Sequence, residues 1–258
     1  MSFVEDALKF HAEHNGMLAV ASKVPLNNRE DLALAYTPGV AEPCKAIKEN
    51  KELSFEYTCR GNTVAIVSDG TRVLGLGDIG PEAAMPVMEG KAVLFKTFGD
   101  VDAIPICIDT KDPEEIIETV RRLQPTFAGI NLEDFSSPKC YEIEDRLREI
   151  CDIPVFHDDQ HGTAIACLSA VMGALRYVKK DIKDVKVVVN GCGAAGSAIG
   201  RLFVSMGFPN VIMVERVGAL YKALMPNWIK FSVTFRKLRT RTWKRARWQR
   251  LPKARIFL

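Results

Sequence analysis

Short apolar runs alternate along this chain with longer stretches in which apolar residues recur at helical spacing. The runs Val64–Val67, Val73–Leu76, Ala103–Ile108, Phe127–Leu132, Ile153–Phe156, Val185–Val189 and Val211–Val214 have the length of strands. Bounded by turn residues and separated by helical patterns, they predict the buried strands of a parallel sheet, and so an α/β fold. Pro105 puts its run at a sheet edge or bulge, because proline cannot donate to a central ladder. Ser68-Asp-Gly70 reads as a turn.

The helical stretches carry their own start and stop signals. Ser2 with Glu5 forms a capping box for a first helix that should stop at Gly16. Pro81 opens a helix to about Phe98. Asp112 as N-cap with proline at the first helical position starts another, and Ser137-Pro138 starts a charged one reaching Ile150. A long apolar helix is expected from Thr163 to about Val178, and a shorter one from Ser197 to Met206. The stretch 21–43, rich in Pro, Asn and Gly, reads as extended or looped. The polar connector Lys179–Asp184 is the natural boundary between two folding units.

Composition narrows the class. With 258 residues and 47% apolar content the chain has ample core, and no apolar run approaches a membrane span. Seven scattered cysteines (44, 59, 107, 140, 151, 167, 192) show no Cys-x-x-Cys spacing and read as reduced, mostly buried thiols. With an acidic start lacking a basic leader, they suggest a cytoplasmic protein. The net charge of +3 hides a split, since residues 222–258 hold twelve Lys or Arg and no acid, along with all three tryptophans. That tail could stack on and neutralise nucleic acid. No fold signature accompanies the charge, so nucleic acid is not the expected partner.

Two sites of chemistry stand out. Glu133-Asp134 and Asp158-Asp159 each close a strand run, and ligands in open α/β sheets bind outside the carboxyl ends of strands. If the two strands are neighbours, up to four carboxylates share one crevice, and a divalent cation would relieve their repulsion. The competing reading is that Asp134 and Asp159 cap the following helices. The second site is Gly191-Cys-Gly-Ala-Ala-Gly196, preceded by a strand and followed by a helix, with Glu215 ending the next strand. This is the dinucleotide-binding turn: Gly191 allows the tight turn, Gly193 lets backbone approach a pyrophosphate beside Ala194 and Ala195, and Gly196 packs helix on strand. Glu215 stands where a ribose hydroxyl partner belongs and favours NAD, although Arg216 could accept the 2′-phosphate of NADP.

Tyr36-Thr-Pro-Gly-Val-Ala41, Asp69-Gly-Thr-Arg-Val-Leu-Gly-Leu-Gly-Asp-Ile-Gly80, Pro86-Val-Met-Glu-Gly-Lys91, Leu132-Glu-Asp-Phe135 and His157-Asp-Asp-Gln-His-Gly-Thr163 follow in this order. The series closely resembles the malic enzymes, in particular the compact prokaryotic type, and the resemblance covers residues 1–221. It implies oxidative decarboxylation of L-malate to pyruvate and CO2 with NAD or NADP and Mg2+ or Mn2+, by a homodimer or larger homo-oligomer. Carried over residue by residue, Tyr36 matches the general acid and Lys91 the general base. Glu133, Asp134 and Asp159 match the metal ligands, Asp158 the carboxylate beside the lysine, and Arg72 a substrate-carboxylate contact. His157 and His161 read as supporting residues, since a hard cation prefers the acids.

The resemblance also implies domains: 1–160 for substrate and metal, 161–221 for an incomplete Rossmann-type nucleotide domain, and 222–258 as an atypical tail, disordered or frame-shifted. On that reading the chain is truncated after about residue 222 and its catalysis is weak or absent. A malolactic-type enzyme releasing lactate and a non-catalytic metal- and nucleotide-binding remnant are the alternatives.

Overall fold

The structure, a computed structural model, describes residues 2–216, 218–220 and 256–257. The expectation of a disordered or frame-shifted segment at 222–258 therefore lies outside the described residues, apart from one two-residue strand. The chain divides into two compact units, Met1–Phe135 with Ile143–Val155, and Ser136–Glu142 with Phe156–Leu258.

The first unit begins with helices α1 (Phe3–His14), α2 (Arg29–Ala35), α3 (Ala41–Glu49) and α4 (Ser54–Tyr57). Strands β1 (Thr63–Ser68), β2 (Asp102–Cys107), β3 (Gly129–Leu132) and β4 (Val155–His157) then form a sheet in the order β2-β1-β3-β4. β1 pairs in parallel with both β2 and β3. Pro105 thus sits on an edge strand, as its missing donor requires. Ala65, Ile66 and Val67 of the inner strand β1 are fully buried and all four residues of β3 are buried, the expected state of parallel strands covered on both faces. Helix α5 (Pro81–Gly99) covers one face, packing Met88 and Ala92 against Ile66 and Ala103. Helix α6 (Pro113–Leu123) follows β2, and α7 (Lys139–Ile150) follows β3.

The second unit carries α8 (Asp158–Tyr177), β5 (Val187–Asn190), α9 (Ala194–Ser205) and β6 (Val211–Glu215). β5 and β6 are parallel, joined through α9, and the short strands β7 (Gly218–Ala219) and β8 (Ile256–Phe257) complete the order β7-β6-β5-β8. Val187, Val189, Phe203 and Met213 form its core with Val171 and Leu175 of α8. The protein is thus an α/β chain built on parallel strands. Among the described residues no helix is long and apolar enough to cross a membrane.

Four expectations need correction. Val73–Leu76 is a turn rather than a strand: Leu74 has φ +46, and Val73 pairs with Gly77 across it. Only Val73 is buried there, since the interspersed glycines give the run nothing more to pack. The stretch 21–43 contains α2 and the start of α3, because Asn28 accepts hydrogen bonds from the N–H groups of Glu30 and Asp31 and so nucleates a helix in a run of good helix formers. Helix α8 starts at Asp158, five residues before Thr163, passing through Gly162. Finally, only Cys140 and Cys192 are buried; Cys44 and Cys59 are exposed, and all seven are free thiols.

Candidate functional site

The two acidic pairs follow the carboxyl ends of β3 and β4, which are neighbours in the first sheet. Ile130 donates to the Pro154 carbonyl at 2.9 Å where these strands meet. The Asp158–Asp159 pair does not serve as the cap of α8. The N-cap of α8 is His157, which makes no side-chain capping bond, and Asp158 and Asp159 occupy the first turn, where the helix dipole favours negative charge. Asp134 is buried and has φ +58, a left-handed conformation that Asp tolerates better than most residues. Its carbonyl accepts from the Arg72 N–H at 2.9 Å, which ties the 69–80 loop to the end of β3.

Glu133 is also buried. Its Oε1 lies 3.0 Å from Lys91 Nζ, which α5 presents, and its Oε2 accepts from Asn131 Nδ2 at 2.8 Å. Glu133 and Asp134 each offer a carboxylate oxygen in the first unit, and Asp159 offers another in the second. A hard cation with six to eight oxygen ligands at about 2.0–2.6 Å accepts such a donor set. Tyr36 ends α2 and Arg72 lies in the loop after β1; both are exposed. Asp69 is buried in that loop, where its Oδ1 accepts from the backbone and hydroxyl of Thr71.

In the second unit the glycine turn has the expected division of labour. Gly191 has φ +102. A β-carbon on Gly193 would meet nothing within 4 Å, which leaves the turn open on that side. One on Gly196 would lie 1.8 Å from the Gly191 carbonyl oxygen, so only glycine fits. Glu215 reaches back to the turn, where its Oε2 accepts from the Cys192 N–H at 2.9 Å. Burial pushes the Cys192 thiol up to about 11, the nearby Glu215 charge adding to the effect and the Val214 carbonyl partly opposing it.

The sequence reading missed the packing around Asp158 and His157. A β-carbon on Gly162 would lie 1.9 Å from Asp158 Oδ1, so this glycine makes room for the carboxylate. His157 Nε2 lies 3.2 Å from Asp159 Oδ2, Gln160 bridges His157 to Arg201, and Arg201 lies on α9. Gln160 gave only its place in the His157–Thr163 motif, and Arg201 gave no signal.

The family model for the malic enzyme N-terminal domain matches residues 15–148. The chain is 54% identical over 222 residues to the bifunctional malic/malolactic enzyme of Bacillus subtilis, covering 86% of this chain and 54% of the relative. It is 56% identical over 207 residues to the NAD-dependent malic enzyme of Geobacillus stearothermophilus, covering 80% and 43%. The chain therefore spans about half the length of these relatives. Its fold matches the crystal structure of the NAD-dependent malic enzyme of Thermotoga maritima with a TM-score of 0.83 at 49% identity, covering 87% of this chain and 60% of that one.

Proposed function

Because this chain belongs to the malic enzyme family, we propose that it carries the acid–base, metal-binding and first nucleotide-binding elements for oxidative decarboxylation of L-malate to pyruvate and CO2. The observation that carries this reading is the buried pair Glu133 and Asp134 at the end of β3, with Lys91 held 3.0 Å from Glu133. Three carboxylates suit Mg2+ or Mn2+ better than a soft metal. The open face at Gly193 and the close approach at Gly196 fit the pyrophosphate of NAD or NADP at a Rossmann-type turn. Glu215 at the end of β6 favours NAD.

When bound, the cation supplies Lewis acidity and the nicotinamide supplies a hydride acceptor. The protein's own groups then handle protons and orientation. Lys91 Nζ, held 3.0 Å from Glu133, takes the C2 hydroxyl proton of malate. Asp158, in the first turn of α8, is the carboxylate assigned to stand beside that lysine. The Tyr36 phenol returns a proton to C3 after CO2 departs, and Arg72 faces a substrate carboxylate. The exposure of Tyr36 and Arg72 suits groups that must reach a diffusing substrate.

A second reading, malolactic chemistry, is favoured by one of the relatives itself, whose name joins both activities. Titration with Mn2+ followed by electron paramagnetic resonance tests the metal site: Glu133→Gln and Asp159→Asn should each weaken binding at least tenfold. Unchanged binding in both would overturn the assignment. An assay with malate, Mn2+ and NAD or NADP, with product analysis, separates the remaining cases. Pyruvate with reduced nucleotide supports malic enzyme chemistry, lactate the malolactic reading, and Mn2+ binding without turnover a binding remnant.

A further inference from the structure

In the second unit, the residue between the first two glycines of the turn is held by its N–H, its carbonyl and its thiol. The Cys192 N–H donates to Glu215 Oε2 at 2.9 Å. Its carbonyl accepts from Ser197 Oγ at 2.9 Å; a carbonyl only accepts, so the hydroxyl proton is committed to this bond. The Cys192 thiol lies 3.6 Å from the Val214 carbonyl, which also accepts from the Gly191 N–H at 2.8 Å. Cys192 and Ser197 are 4% and 2% exposed, so water does not replace a lost partner cheaply. Both peptides flanking the Cys192 α-carbon are therefore fixed, and with them the direction in which its N–H meets Glu215.

That direction matters for the carboxylate. Glu215 Oε1 also accepts from the Arg216 N–H at 3.2 Å, so each oxygen holds one backbone N–H. An ionised carboxylate has about four acceptor sites, which leaves about two for hydroxyl donors such as the diol of a ribose. A 2′-phosphate replaces one of those donors with negative charge. A loosely held carboxylate turns away from it; one seated on backbone N–H groups breaks those bonds by doing so. We infer that Ser197, in the first turn of α9, is a positioning residue for nucleotide choice. Through the Cys192 peptides it fixes the seat of Glu215, and the seated carboxylate accepts the ribose hydroxyls of NAD and rejects the 2′-phosphate of NADP. The inference rests on the reading of the glycine turn and Glu215 as nucleotide-binding elements given above.

Calorimetric titration of the full chain with NAD and with NADP reads the choice. The unaltered chain should bind NAD more tightly than NADP. Ser197→Ala should shrink that preference about three- to tenfold, the worth of one lost hydrogen bond, mainly by weakening NAD. Ser197→Thr, which keeps the hydroxyl, should recover most of it. A structural role alone would weaken both nucleotides by the same factor, and that result in folded Ser197→Ala would refute the positioning role while leaving the nucleotide reading intact. Amide hydrogen exchange followed by NMR gives a readout without nucleotide: the Cys192 amide should exchange slowly in the unaltered chain and faster in Ser197→Ala. A Cys192 amide that exchanges like an exposed one in the unaltered chain overturns the inference, whether or not a variant folds. An unaltered chain that binds neither nucleotide, or prefers NADP, overturns the reading of Glu215, and the positioning role falls with it.

Discussion

Two glycines illustrate how differently one added methyl group can act. At Gly196 the methyl would meet a backbone oxygen at 1.8 Å, and neither α9 nor the turn can move without disturbing the other. Gly196→Ala should therefore cost about 1–3 kcal/mol, as overpacking does, and lower nucleotide affinity; a thermal melt and an NAD titration check both. At Gly162 the clash is with Asp158 Oδ1, the end of a side chain that can swing away. Alanine inside a helix also gains about 0.5–1 kcal/mol over glycine, which offsets the strain. Gly162→Ala should keep a near-unchanged melting temperature while displacing Asp158, and retention of full malate turnover in an active preparation would remove Asp158 from the catalytic set. Cys192 makes a pH prediction. Its thiol is raised from 9.0 to about 11 in the folded state, so the folded chain holds the proton more tightly than the unfolded one. The stability it contributes is complete below pH 9 and is lost as the pH rises from there through about 11. Urea midpoints between pH 8 and 11 should fall more steeply for the unaltered protein than for Cys192→Ala.

Local signals and neighbouring elements divided the work of shaping each helix and strand. Where a cap and its helix are contiguous in sequence, the reading held. Ser2 and Glu5 form their capping box around α1, and Asp112 accepts from the N–H groups of Glu114 and Glu115 at the start of α6. Asp112→Ala should cost about 1 kcal/mol, visible as a lower melting temperature. Elements whose limits depend on distant groups read less well. The start of α8 was legible only as an apolar stretch from Thr163, because His161-Gly162 looks like a break. In the fold Gly162 sits within the helix because the Asp158 side chain needs its space. The run Val73–Leu76 has strand composition, yet residues 74 and 76 find no layer to cover them and remain 68% and 70% exposed. The sheet edge at Pro105, by contrast, was readable because a missing N–H limits a residue wherever it lies.

Across the molecule, protection should follow burial rather than helix propensity. β1 supplies fully buried residues to the first unit, while α1 buries none. Local opening is cheapest where few apolar contacts must break. Hydrogen exchange should therefore find the β1 amides among the slowest of the first unit and the α1 amides among the fastest, despite the capping box of α1. Fast exchange throughout β1 would contradict the assignment of this strand to the core.

The order of residue types was enough to establish the α/β class, the glycine turn and the acidic pairs, because each depends on contacts or backbone limits local in sequence. Periodicity reports which residues seek burial, and a glycine that must hold φ +102 or abut a carbonyl declares itself by its spacing. Strand order was the first matter left to tertiary structure: only pairing decides that β3 and β4 are neighbours. The hydrogen-bonded set Arg201–Gln160–His157 was the second. Its bonded partners are as many as 41 positions apart, and no one-dimensional pattern records which buried donor meets which acceptor once the helices pack.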